Sequence, residues 1–202
     1  MKTYRNSING ITFIAAAEEK LYPQVQILFQ SIEEVPFENI KNGYLLEIGF
    51  TVFTLVEKDG VYIIFAPDYK NNPFTDTVED LTAALRIQSQ QIDLLKSYNI
   101  KWENIRFDDK IIVAKNALQE NHIFMQRNSD CNKGDSGWCV KSVDNDETDD
   151  ADNYEAFYVY QLLELRPELL KVLAFPYDYI IVFEGDVLKA ILNEQDEDIM
   201  TD

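Results

Sequence analysis

The chain has 202 residues, 46% hydrophobic and 12% aromatic, with a formal net charge of −18. At roughly 100–200 residues per domain, this is one or two globular domains with enough apolar side chain to form a core. The charge argues against a nucleic-acid backbone or an anionic membrane surface as partner, since both call for a basic face, and no apolar run approaches the roughly 20 residues of a bilayer span.

The first apolar stretch, ITFIAAA (Ile11–Ala17), runs directly into Glu18 and Glu19. It reads as a strand rather than a signal segment, and the expectation is a cytoplasmic protein. YPQVQILFQSIEEV predicts a helix, with Pro23 in the first turn and Val25, Leu28, Phe29 and Ile32 at helical spacing. GYLLEIGFTVFTLVEKDGVYIIFAP is β-branched and aromatic, with EKDG as a turn, and predicts a hairpin. The next segment, up to SYNI, predicts the clearest helix. Asp76 and Glu79 are its expected capping pair, and Leu81, Leu85, Ile92 and Leu95 its expected apolar face.

ENIRF and KIIVAKNA follow as short predicted strands. NHIFMQR alternates as a half-buried strand does, and SGWCVKSV is its expected pairing partner. YEAFYVYQLLELRPELLKVL predicts helix, with Pro167 interrupting it or starting a second one. YDYIIVFEG predicts a last strand, DVLKAILNEQ a helical turn and DEDIMTD a frayed tail. This order predicts an α+β fold of mostly antiparallel sheet packed with a few helices.

Charge is unevenly spread. Residues 1–128 hold 13 basic and 17 acidic residues, whereas residues 129–202 hold 5 and 19. With no Gly/Ser/Pro-rich linker as a marker, this shift suggests a division into residues 1–108, of unassigned role, and residues 109–202. Cys131 and Cys139 are too few for a disulfide framework and read as free thiols.

Two segments invite a chemical reading. GDSGW (Gly134–Trp138) shares four letters with the nucleophilic-serine segment of trypsin-like proteases. Ser136 would need a base, and the single histidine, His122, lies only fourteen residues upstream. The segment reads instead as architecture. Asp135 and Ser136 would cap a turn, Gly137 would take an unusual backbone angle, and Trp138 would anchor a strand with its indole N–H bonded.

DNDETDDADNYE places oxygens at Asp144, Asp146, Thr148, Asp150, Asp152 and Glu155, close to a twelve-residue calcium loop. Asp149 stands where that loop requires glycine, and the preceding segment reads as strand. The segment is therefore read as a solvated acidic loop. A ligand- or metal-binding regulatory role for Asp144, Asp146, Asp150, Asp152 and Glu155 is the alternative. No phosphate-binding glycine loop is visible, and no cofactor is expected. The tyrosine-rich YEAFYVYQ reads as a core helix face, although tyrosine also suits interfaces.

IIVAK (Ile111–Lys115), IFMQR (Ile123–Arg127) and DSGW (Asp135–Trp138), followed by an acidic loop and LLELRPELLKVL, resemble the immunity protein 33 family over about residues 109–188. The resemblance implies a non-enzymatic bacterial protein of the toxin–immunity class that binds and neutralises a cognate toxin. A basic toxin suits the charge. The expected contact residues are Asp144, Asp146, Glu147, Asp149, Asp150, Asp152 and Tyr154. The oligomeric state is not readable from the sequence.

Overall fold

The computed structural model describes residues 1–144 and 150–200. The chain forms two compact units, Met1–Gln90 and Gln91–Asp202, each with its own mixed sheet. The fold is α+β, as the sequence predicts.

The first unit opens on a hairpin of β1 (Lys2–Ile8) and β2 (Ile11–Ala17). Asn9 and Gly10 join them, both at positive φ (51° and 82°), which is the Asn-Gly solution to a two-residue turn. α1 (Tyr22–Glu33) carries Pro23 in its first turn and buries Val25, Leu28, Phe29 and Ile32, the stripe its spacing predicts. The expected single hairpin is a three-stranded meander of β3 (Tyr44–Ile48), β4 (Thr51–Lys58) and β5 (Val61–Pro67). An extra turn at Gly49, φ 52°, splits its first half. β2 and β5 run parallel at the centre, and the strand order is β1-β2-β5-β4-β3. A two-residue β6 (Thr77–Val78) pairs with β5. Phe13, Phe53, Leu55 and Ile64 join the α1 stripe in a fully buried core.

α2 (Thr82–Ser97) starts later than the capping pair Asp76/Glu79 requires. Pairing of Thr77–Val78 and the Ala16–Asp80 bridge keep the chain extended through residue 80. Asp80 then accepts from the Thr82 N–H at 3.0 Å. Leu81, Leu85 and Leu95 are buried as expected, but Ile92 is 37% exposed. Gln91 takes the buried place beside it, because its amide donates to the Leu170 carbonyl at 2.9 Å.

The second unit comprises β7 (Lys110–Ala114), β8 (His122–Arg127), β9 (Asp135–Ser142), β10 (Tyr154–Tyr158), β11 (Ile180–Glu184) and β12 (Val187–Leu192), in the order β10-β7-β9-β8-β11-β12. Only β7 and β9 are parallel. One face of this sheet buries Ile111, Met125, Trp138, Val140, Ile181 and Phe183. Hydrogen bonds from Arg127 and Trp138 to Leu173 and Phe175 hold the segment after α3 (Leu162–Leu165) on that face.

Four expectations fail here. ENIRF is not a strand: the Glu103 N–H donates to the Ala174 carbonyl, the Asn104 and Phe107 carbonyls accept from Arg127 and Tyr160, and the Asp109 carboxylate closes a turn on the Arg106 N–H. The predicted long helix from Tyr154 divides into β10, a 3-10 turn, the four-residue α3 and a 3-10 segment from Pro167. Its aromatic start adds to β7 as a strand, and proline supplies no helical N–H. The segment after Gly185 is the strand β12, not a helical turn. Of the predicted tail, Ile199 is tied down, its N–H bonded to the Ile191 carbonyl at 2.9 Å, while residues 201 and 202 lie outside the described residues.

Phe53→Ala removes a fully buried ring from the first unit and is expected to cost about 3–5 kcal/mol. Hydrogen exchange of the amides of residues 1–90 under mild urea checks this, since both tryptophans lie outside that unit.

Candidate functional site

β9 begins at the DSGW segment and alternates strictly, with Ser136, Trp138, Val140 and Ser142 inward and Asp135, Gly137, Cys139 and Lys141 half-exposed on the other face. Its register against β7 jumps from Lys110–Asp135 to Ile112–Cys139, so four residues of β9 span two of β7. Gly137 makes this bulge feasible. Its φ is +77°, and a Cβ there would lie 2.5 Å from the Asn128 carbonyl. The Ser136 hydroxyl accepts from the Trp138 N–H at 3.1 Å, and the Trp138 indole N–H donates to the Leu173 carbonyl at 2.8 Å.

Sequence reasoning passed over the residue that organises this region, Arg127. It pairs with Trp138 across β8 and β9 and is 1% exposed. Its guanidinium meets four main-chain carbonyls: Ser136 (3.0 Å), Phe175 (2.5 Å), Leu173 (3.3 Å) and Asn104 (2.9 Å). Tyr177 and Trp138 cover it, with ring centroids 4.5 and 5.9 Å from the guanidinium carbon. Burial lowers its pKa from the usual arginine value, but arginine remains charged in a fold. Nearby Asp109 is half-buried, and desolvation raises its carboxyl above the ordinary aspartate value. Arg166 repeats the device, donating to the carbonyls of Leu118, Glu120 and Gly185. The only signal for such residues was charge at an inward strand position, opposite Trp138.

Ser136 and His122 do not meet. His122 sits at the far end of β8 from the β9 bulge, five strand positions from Arg127, on the order of 15 Å. Its Nδ1 lies 2.9 Å from an Asp144 carboxylate oxygen, and Nε2 3.8 Å from Glu184. Asp144 is thereby held at the start of the acidic segment. Asp146, Glu147 and Asp149, like Thr148 of the calcium pattern, fall outside the described residues.

Asp150 caps the 3-10 turn Ala151–Asn153 through the Asp152 N–H at 3.1 Å, and both carboxylates are exposed. Glu155 is not in a loop but on β10, exposed. Among the described residues no three His, Cys, Asp or Glu side chains gather as a metal would require. Tyr154 opens β10 half-buried, with the Lys141 ammonium 5.4 Å from its ring centroid. Tyr154, Lys141, Lys110, Asp135 and the free thiols of Cys131 and Cys139 line a cavity of about 370 Å³ on the open face of the sheet.

The bulge and the acidic segment thus lie at opposite ends of β9, and the cavity lining runs between them, from Lys110 and Asp135 to Lys141 and Tyr154. Among the described residues, no helix is long and apolar enough to cross a membrane. A family profile described as the Imm33-like domain matches residues 90–199, more than half of the chain, and the chain belongs to that family. No curated protein and no solved structure matches it.

Arg127→Lys is expected to lose about 3–5 kcal/mol, because a compact ammonium cannot serve four dispersed carbonyls. Gly137→Ala should lose at least about 1–2 kcal/mol from backbone strain alone, before the clash is added. Urea titration followed by Trp138 fluorescence measures both.

Proposed function

We propose that this Imm33-like protein is a non-enzymatic immunity protein that binds and neutralises a cognate toxin in the cytoplasm of the cell that makes it. The observation that carries the reading is the family match over residues 90–199, supported by the concentration of charge. Residues 129–202 hold 19 acidic against 5 basic residues, and the exposed carboxylates of Asp150, Asp152 and Glu155 cluster at one end of the second sheet. Such a field attracts a basic partner, speeds encounter and disfavours acidic competitors.

The recognition role falls to residues 109–202, with Asp144, Asp146, Glu147, Asp149, Asp150, Asp152 and Tyr154 as contacts. The DSGW segment acts behind them as a support. Ser136 spends its hydroxyl on the Trp138 amide and offers no nucleophile. The test is co-expression with the toxin encoded beside this gene. Cells should survive and a complex should co-purify. Loss of both would refute the proposal.

Charge sets the rate in this reading. Neutralising Asp150, Asp152 and Glu155 together (D150N, D152N, E155Q) is expected to slow association by about 10-fold or more at low salt. It should also flatten the salt dependence of the association rate, as measured by stopped flow. Asparagine keeps the cap at residue 150, so the fold should be unchanged.

A further inference from the structure

The second sheet has two edges, and they are treated differently. β12 is guarded. Its pairing with β11 slips at Val182/Phe183, which leaves Lys189 as an extra residue in a bulge, ion-paired to Glu184 at 2.7 Å. Asp198 and Ile199 then occupy its outer side: the Ile191 N–H donates to the Asp198 carboxylate (3.3 Å), and its carbonyl accepts from the Ile199 N–H. Bulges, lysines and covering segments are the usual means of blocking strand addition.

Among the described residues β10 has none of these. Its register on β7 is unbroken from Tyr154 to Tyr158, without lysine or proline. Its bonding direction follows from the flanking bonds. The Asn153 carbonyl accepts from Lys115, and the Val159 N–H donates to Asp109. Antiparallel pairs alternate, so Glu155 and Phe157 face β7, while Tyr154, Ala156 and Tyr158 turn their main-chain groups outward. Two of the outward donors are already used. Tyr154 N–H bonds the Ala151 carbonyl, and Tyr158 N–H the Gln161 side chain at 2.8 Å. What remains is the N–H and C=O of exposed Ala156 and the carbonyl of Tyr154, since Tyr158 opens the 3-10 turn Val159–Gln161.

We propose that this edge is the line on which the toxin docks: an extended basic segment of the toxin joins β10 as a seventh strand. The inference rests on the toxin-binding reading above. It adds the mode, up to three main-chain hydrogen bonds at Ala156 and Tyr154, with long cationic side chains reaching Asp150, Asp152 and Glu155. Charge selects the occupant. A second copy of this chain would bring no cation, since β10 carries no basic residue. A basic strand would neutralise these carboxylates. Lys110 and Lys141 lie on the inner strands β7 and β9, and Lys115 follows β7, its N–H on the Asn153 carbonyl.

Ala156→Pro deletes the one outward N–H and leaves every bond to β7 in place, the position at which a strand tolerates proline. The probe is the toxin encoded beside the gene, with its own activity disabled. We expect Ala156→Pro to bind it about 10- to 100-fold more weakly, from the lost hydrogen bond and the ring's obstruction of the added strand. Ala156→Ser, which keeps the N–H, should bind within about threefold, its polar group remaining in water. The Ala156 amide should exchange rapidly in the free chain and slowly in the complex, and that measurement decides the matter if the proline variant fails to fold. A complex of unchanged affinity with folded Ala156→Pro, or an unprotected Ala156 amide, overturns the edge alone. A homodimer of the chain that Ala156→Pro converts to monomer also overturns it. Failure of the unmodified chain to bind the toxin overturns the toxin-binding reading and this inference with it.

Discussion

The second unit is organised around one buried guanidinium. Arg127 brings a full positive charge inside the sheet and is held by four main-chain carbonyls from three segments. A buried charge without partners would cost several kcal/mol, so each of those segments must present its carbonyl in place. The fork of an arginine has the donors to do this; lysine does not. Asn104, Ser136 and the Leu173–Phe175 segment are far apart in the chain, and this side chain is where they converge. Trp138, bonded to the same Leu173 carbonyl, closes the packing above it.

That arrangement makes the start of β9 rigid and sends function to its surroundings. The DSGW segment is used up internally: the Ser136 hydroxyl on a main-chain N–H, Gly137 in a fit that excludes a side chain, the indole N–H on a carbonyl. Outward from it lie groups that are not used up, namely the lined cavity, the carboxylates from Asp150 to Glu155 and the outer edge of β10. A stiff support beneath a charged, unguarded edge suits a protein whose work is to hold another protein.

Much of the fold was legible locally. α1 was readable because Val25, Leu28, Phe29 and Ile32 repeat at its period and Pro23 opens it. β2, β8 and β9 were readable because alternation or apolar runs fix a strand. β1 was not, since KTYRNSI is largely polar and only Tyr4 and Ile8 are buried; its signal was the Asn-Gly turn after it. The reading of YEAFY as helix failed because an aromatic run has no period of its own, and a free edge on β7 was available to it. Ile92 and Gln91 exchanged roles because a carbonyl at Leu170 satisfied an amide whose polarity predicts exposure.

The sequence by itself determined the α+β class, the family resemblance, the acidic last third and the absence of a paired serine and base. These depend on composition, short-range period and residue inventory, which no folding step alters. The tertiary structure alone decided that Arg127 is the hub, that the acidic segment leads into an edge strand, and that one sheet edge is guarded and the other is not. Those facts depend on which distant carbonyls meet and which strand ends the sheet, and only long-range packing sets such contacts.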